Sequence, residues 1–346
     1  MSASGILIIA PSWLGDSLMA QPLLTRLAAK APDVALEVVA VPAVAPVFRR
    51  MPEVTRVIEA DFRHGRFGLA DRWRLGRSLA GQYAQAFVLP NTWKSALVPF
   101  FADVAVRVGY VGESRYGLIN LTHRNPKKAA PRLPMAHFYA RLSETPGTAL
   151  PAGIENELPL PRLIADPLRM IAAKVNLGLM PNERLVALCP GAEYGPAKRW
   201  PAEYFAEVAS KLKARGATPV VLGSQADVPT GLTIEQLSNG AAINLCGKTT
   251  LDQAIDLIAG SSAVLTNDSG LMHVAAALDR PQVAIFGSSS PAHTPPLSSA
   301  AKVIYLGIEC SPCYARECPL GHFRCMREIT PAQVLQTYAE MDAAQR

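Results

Sequence analysis

The sequence predicts an α/β protein of two doubly wound domains, and three observations carry that expectation. The chain has 346 residues, room for two hydrophobic cores at roughly 150 residues per domain. Short aliphatic runs rich in β-branched residues alternate with segments of helical period, the pattern of a parallel sheet covered by helices on both faces. That alternation stops at a proline-rich stretch and then starts again. Composition agrees: 49% hydrophobic and 18% charged residues, with a mean hydropathy of +0.15, exclude a disordered chain.

The first strand is the run at 6–10 (ILIIA), which turns into a helical pattern over 17–29. Strands at 36–41, 56–59, 86–89 and 104–108 follow, with helices over 69–82 and 136–143. From 146 to 167 the sequence PGTALPAGIENELPLPRLIADP reads as an exposed linker, because proline lacks the amide that a helix interior needs. Beyond it come strands at 185–189, 218–222, 263–266 and 283–286, and helices over 202–214, 251–259 and 270–278. A last helix over 331–344 has Thr330 as its cap and Pro331 at its first position. The expected division is 1–160, 161–330 and a C-terminal helix within 331–346. Neither the GxGxxG pattern nor the P-loop pattern occurs, which argues against a dehydrogenase or a P-loop nucleotidase.

No apolar run reaches the ~18 residues of a spanning helix; the most apolar stretch, 95–106, is broken by Pro99 and Asp103. The N-terminus has no basic residue ahead of its short apolar run, so it reads as a strand, and the expected compartment is the cytoplasm. The net charge of +6 is uneven. Residues 1–150 carry 18 basic against 10 acidic residues, +8, and residues 151–346 carry 16 against 18, −2. A basic first half suits an anionic partner such as a phosphorylated lipid, a membrane surface or nucleic acid; ordinary solvated arginine is the alternative.

Chemistry is expected in the loops that follow strands, where open α/β sheets place their ligands. In Pro11-Ser12-Trp13-Leu14-Gly15-Asp16, Asp16 reads as a general base aimed into a crevice or as a helix cap. In CPGAEYGPAKRWP (189–201), Gly191 lets backbone approach a ligand and Lys198 sets a point charge against phosphate, unless the loop is a plain turn. In TNDSGLMHVAAAL (266–278), Asp268, Ser269, Gly270 and Leu271 open a helix whose free N–H groups suit a diphosphate, with His273 about one turn in; a plain cap and a core histidine are the alternatives. Arg63, His64 and Arg66 form a basic loop suited to phosphate, followed by Arg72, Arg74, Arg77, Lys94 and Arg115, which otherwise read as a scattered solvated face.

Four of the six cysteines, Cys310, Cys313, Cys318 and Cys325, fall within sixteen residues. A CxxC knuckle followed by two more cysteines suits a structural zinc, although the spacings are shorter than usual; free thiols and disulfides are the other readings. Cys189 and Cys246 lie in apolar strands and read as core.

Taken together, PSWLGD, LPNTWKSALVPF, CPGAEYGPAKRWP and TNDSGLMHVAAALDRP, in that order over nearly the whole chain, resemble the heptosyltransferase II family of lipopolysaccharide-building enzymes, in glycosyltransferase family 9. The resemblance implies the GT-B fold, two Rossmann-like domains facing each other across a cleft, with acceptor on the first and an ADP-sugar on the second. It implies inverting, metal-independent transfer of L-glycero-D-manno-heptose from ADP-heptose to the first heptose of the inner core, carried on Kdo2-lipid A. Asp16 then looks like the base, and Lys198 the group that neutralises the departing diphosphate. Asp268, Ser269, Gly270 and His273 line the donor pocket, and Ser12 and Asn91 neighbour the reacting sugar. The acidic acceptor suits the basic half, and so does a peripheral place at the inner face of the inner membrane. A different nucleotide sugar or acceptor, a nucleotide-sugar epimerase of the same architecture, and a non-catalytic module that senses metal or redox state through its cysteines are the competing readings. The basic residues are dispersed and match no nucleic-acid motif.

Overall fold

The computed structural model describes residues 4–62, 67–125, 132–148, 150 and 158–344. The chain forms two compact units, Met1–Pro161 and Arg162–Arg346. In the first, strands β1 (Gly5–Ile9), β2 (Leu36–Ala40), β3 (Arg56–Glu59), β4 (Tyr83–Val88), β5 (Val106–Tyr110) and β6 (Leu121–His123) lie in the order β3-β2-β1-β4-β5-β6. In the second, β7 (Leu185–Cys189), β8 (Thr218–Val221), β9 (Ile243–Asn244), β10 (Ala263–Asn267), β11 (Gln282–Phe286) and β12 (Ala301–Tyr305) lie in the order β12-β11-β10-β7-β8-β9. All pairings within both sheets are parallel. The strand order therefore reverses between β1 and β4 in one unit and between β7 and β10 in the other. Ligands of open α/β sheets bind outside the carboxyl ends of the strands at such a reversal.

Central strands β1, β7, β10 and β11 are buried along their whole length. Helices on both faces explain why they read as unbroken apolar runs. Edge strands β3 and β12 keep partly exposed residues and carry charged ones. The edge strands β6 and β9 escape the sequence reading because three and two residues hold too little pattern to recognise.

Three expectations need correction. The helix expected over 17–29 is two helices, Leu14–Met19 and Gln21–Lys30, meeting at Ala20 just before Pro22, whose missing amide is tolerated in a first turn but not in an interior. The expected linker gives way to structure before its end: Asp166 accepts from the Leu168 amide at 2.9 Å and Pro167 opens the helix Pro167–Asn176. Its last proline thus begins a helix. The helix expected over 69–82 ends at Ser78, and β4 starts at Tyr83, three residues earlier than its apolar run suggests.

The helix Pro331–Ala343 starts with a capping box between Thr330 and Gln333. Val334, Tyr338 and Met341 on its inner face join the second unit's core with Phe205, Val208 and Leu212 of the helix Ala202–Ala214. Trp200, fully buried, donates from Nε1 to the Ile329 carbonyl at 2.8 Å and ties the start of this helix to the loop after β7. Among the described residues no helix is long and apolar enough to cross a membrane.

Candidate functional site

In the first unit the chain leaves β1 through residues 10–13 and enters the helix Leu14–Met19. Trp13 sits at the N-cap and no side chain caps the helix, so Asp16 in the first turn is not spent as a cap. Its carboxylate instead accepts from the Tyr139 hydroxyl at 2.9 Å. Burial raises the Tyr139 phenol well above its usual range, and the Asp16 charge raises it further. Tyr139 is thereby fixed as a proton donor that orients Asp16. Ser12 is exposed beside it, as is Trp13.

The neighbouring strand β4 delivers residues 89–94 next to that loop, with the Leu89 amide bonded to the Ile9 carbonyl at 3.1 Å. Asn91 Oδ1 accepts from Arg115 Nη2 at 2.7 Å, and Arg115 Nη1 donates to the Pro90 carbonyl at 2.8 Å. A Cβ on Gly112 would stand 2.6 Å from Asn91 Nδ2, so the glycine lets this side chain pack closely against the loop. Lys94 is half-buried on the turn Trp93–Ala96. Arg63, His64 and Arg66 lie outside the described residues.

The solvated-arginine reading is corrected at two positions. Arg72 is buried, donating to the carbonyls of Phe67 and Lys94 with its guanidinium 3.9 Å from the centre of the Phe62 ring. Arg115 is buried as well and fastens the loop that carries Asn91. Arg74 and Arg77 are exposed and paired with Asp71 and Asp103.

In the second unit the loop after β7 and the start of the helix after β10 come together. Lys198 Nζ lies 2.6 Å from Asp268 Oδ2, with the lysine side chain 16% exposed and the aspartate 4%. Ser289 Oγ also donates to Asp268, and Thr294 Oγ1 lies 3.5 Å from both carboxylate oxygens. Asn267 stitches both ends of the loop to β10: its Nδ2 donates to the Pro190 carbonyl at 2.7 Å and its Oδ1 accepts from the Trp200 amide at 3.2 Å. Gly191 passes so close to Asp227 that a Cβ would meet its carboxylate at 2.7 Å. Ser224 in turn anchors Asp227 through its amide and hydroxyl.

Ser269 occupies the N-cap of the helix Gly270–Ala277, but its side chain does not cap it and lies 3.4 Å from Thr266 Oγ1. The first amides, at Gly270 and Leu271, therefore keep the anion-facing geometry of a helix N-terminus. His273 on the same helix is buried, and burial pushes its pKa down to about 4; Asp268 opposes that shift and Lys198 adds to it. The imidazole is neutral at ordinary pH. A lysine, uncapped amides and small residues at a sheet's reversal point are the chemistry that a diphosphate would need.

Residues 72–324 match the profile of glycosyltransferase family 9 (heptosyltransferase). The chain is 42% identical over 341 residues to lipopolysaccharide heptosyltransferase 2 of Escherichia coli K12, covering 96% of each. It is 40% identical over 346 residues to lipooligosaccharide heptosyltransferase 2 of Haemophilus influenzae, covering 97% of this chain and 99% of the other. The solved structure of the E. coli ADP-heptose LPS heptosyltransferase II superposes with a TM-score of 0.86 at 38% identity, over 99% of both chains. The chain belongs to glycosyltransferase family 9. It is a heptosyltransferase with the GT-B pair of parallel sheets.

Several residues that contact the candidate site residues escape a reading of the sequence. Tyr139 meets Asp16 across 123 positions, and Ser289 and Thr294 reach Asp268 across 21 and 26. None carries a local motif. Asn267 is the exception, since it stands inside a stretch already singled out.

All six cysteines are free thiols, so the disulfide reading is not what the structure shows. Cys189 and Cys246 are buried core residues, and burial pushes the Cys246 thiol up to about 12. Cys310, Cys313, Cys318 and Cys325 together line one small cavity of about 20 Å³, whose wall includes Ala197 and Ser288. Among the described residues no three His, Cys, Asp or Glu side chains stand where they would hold a metal ion.

Proposed function

We propose that the chain transfers heptose from ADP-heptose to the first heptose of a lipopolysaccharide inner core, with inversion at the anomeric carbon. The second unit takes the donor through Gly191, Lys198, Asp268, Ser269, Gly270, Leu271 and His273. The first unit takes the acceptor through Ser12, Asn91 and Lys94, with Arg63 and His64 of the basic loop. The observation that carries the reading is Lys198 held beside the uncapped helix start at Gly270. Negative charge builds on the departing phosphate as the glycosyl bond stretches, and a fixed ammonium with oriented amides stabilises it. ADP leaves as a stable anion, so no general acid is needed and the step requires no catalytic metal.

In the first unit, Asp16 removes the acceptor hydroxyl proton. The freed oxygen bonds to the anomeric carbon from the face opposite ADP, and the bond from that carbon to the phosphate oxygen breaks. Tyr139 orients the carboxylate throughout. The four clustered cysteines lie outside this chemistry and are read as holding a structural zinc. The +8 charge of residues 1–150 supports contact with a phosphorylated, acidic acceptor and with the anionic cytoplasmic surface of the inner membrane.

The test is Lys198→Ala. Transfer from ADP-heptose is expected to fall about 100-fold in kcat, consistent with the loss of one charge-stabilising group. ADP affinity is expected to fall with it, and added magnesium to restore neither. An unchanged kcat would remove Lys198 from the step.

A further inference from the structure

The loop after β7 is crossed by the segment 311–316, and backbone and side chains fasten the crossing. The Ala197 amide donates to the Arg316 carbonyl at 3.0 Å, and the Tyr194 hydroxyl donates to the Tyr314 carbonyl at 2.8 Å. Arg316 Nε donates in return to the Tyr194 carbonyl at 2.7 Å. A Cβ on Gly195 would stand 2.3 Å from the Arg316 carbonyl oxygen, so the glycine lets the two backbones pass. The segment is also tied to the loop after β11: the Tyr314 amide donates to the Ser288 carbonyl at 2.7 Å, and Ser311 Oγ donates to the Gly287 carbonyl.

The crossing gathers two cations around one aromatic ring. Lys198 Nζ lies 5.3 Å from the centre of the Tyr194 ring, and the Arg316 guanidinium carbon lies 5.7 Å from the same centre, both within the range of a cation–π contact. Their circumstances differ. Lys198 is paired with the buried Asp268, whose charge cancels its own, and His273 is neutral at ordinary pH. These side chains and the helix amides therefore offer a diphosphate oriented donors but no net positive charge, whereas a diphosphate brings more than one negative charge. Arg199, the third cation on the two crossing segments, donates to the Ala192 carbonyl at 3.4 Å and stands 3.9 Å from Asp227. Arg316 is exposed, and among the described residues its Nη1 and Nη2 meet neither a carboxylate nor a carbonyl. The Nε bond and the Tyr194 ring hold one edge of the guanidinium and leave its two outer nitrogens unengaged. That fork is the geometry that binds phosphate oxygens in pairs.

We infer that Arg316 is a further donor-binding residue, a second cation whose free Nη groups take phosphate oxygens of the donor beside Lys198. The assignment rests on the donor reading given above and adds to it the positive charge that the Lys198–Asp268 pair does not supply. When the bond between the anomeric carbon and the phosphate oxygen breaks, its electron pair stays on the phosphate. Arg316 stabilises that charge through hydrogen bonds and gives up no proton. Tyr194 is then a positioning residue, because its carbonyl and its ring aim the guanidinium.

Calorimetric titration of ADP, and of adenosine as the ligand without phosphate, into the native full-length protein, Arg316→Gln, Arg316→Ala and Lys198→Ala decides the matter. Glutamine retains an N–H donor for the Tyr194 carbonyl and removes the charge. Both Arg316 variants are expected to bind ADP about tenfold more weakly, the loss of one hydrogen-bonded charge. They are expected to bind adenosine as the native protein does and to unfold at the native temperature. Full ADP affinity in Arg316→Gln with a loss in Arg316→Ala reduces Arg316 to a brace for Tyr194 and overturns the assignment. Full affinity in both overturns it too, and a loss in Lys198→Ala alone then leaves the donor reading standing without Arg316. An adenosine affinity that falls as far as that for ADP puts Arg316 away from the phosphates, which also overturns it. Should Lys198→Ala keep full ADP affinity while Arg316→Gln loses it, the donor reading fails at Lys198 and the phosphate contact of Arg316 stands.

Discussion

At the scale of single residues, the site depends on side chains held in one ionisation state by their surroundings. Tyr139 is kept protonated against Asp16, and His273 is kept neutral with a pKa near 4 instead of its ordinary 6.5. The sign of the pH effect follows from His273. Between about pH 6.5 and pH 4 the unfolded chain binds a proton that the folded chain refuses, so this residue makes stability fall as pH drops through that window, and the loss is complete below about pH 4. His273→Gln is expected to flatten that part of the acid limb, by on the order of 3 kcal/mol at full effect. Urea unfolding of both proteins between pH 7 and pH 4 checks it, and parallel limbs would contradict it. The sequence shows His273 plainly but not its burial, because a lone histidine on an apolar helix carries no mark of what packs over it.

At the scale of elements, the legible parts are those written contiguously. The loops at 11–16, 189–201 and 266–270 stand out because each follows an aliphatic run and precedes a helix, and each delivers residues of the site. The carboxylate and its tyrosine are not legible, because helix Met135–Ala140 reaches Asp16 only through tertiary packing. The split at Ala20 was written in Pro22, but helical periodicity continues smoothly across it. The last helix is the clearest case of local signal agreeing with packing: Thr330 accepts from the Gln333 amide and Gln333 returns a bond to the Thr330 amide. Thr330→Ala is expected to destabilise the second unit by about 1 kcal/mol. A lower denaturant midpoint with an unchanged slope confirms that; an unmoved midpoint would mean that helix packing alone fixes the start.

At the scale of the whole molecule, one topology is used twice, and both candidate sites fall at its reversal point. The alternation of strands and helices foretells the parallel sheets. The reversal itself is invisible in sequence, because nothing local says on which side of β1 or β7 the next strand pairs. Charge divides along the same lines, with +8 in residues 1–150 and −2 in the rest. An acceptor held by the basic unit predicts that added salt raises KM for the lipopolysaccharide acceptor several-fold between low and about 0.2 M ionic strength, while KM for ADP-heptose changes little. Equal salt sensitivity of the two would place the electrostatics elsewhere.

The central claim is that one carboxylate in the first unit activates the acceptor. It is tested most directly by following heptose transfer from ADP-heptose to a heptose-terminated, truncated lipopolysaccharide with the native protein and with Asp16→Ala, while ADP binding is measured on both. The account predicts that Asp16→Ala lowers turnover by at least about 100-fold and leaves ADP affinity within about twofold of the native value. Retained transfer, or loss of ADP binding together with turnover, would contradict it.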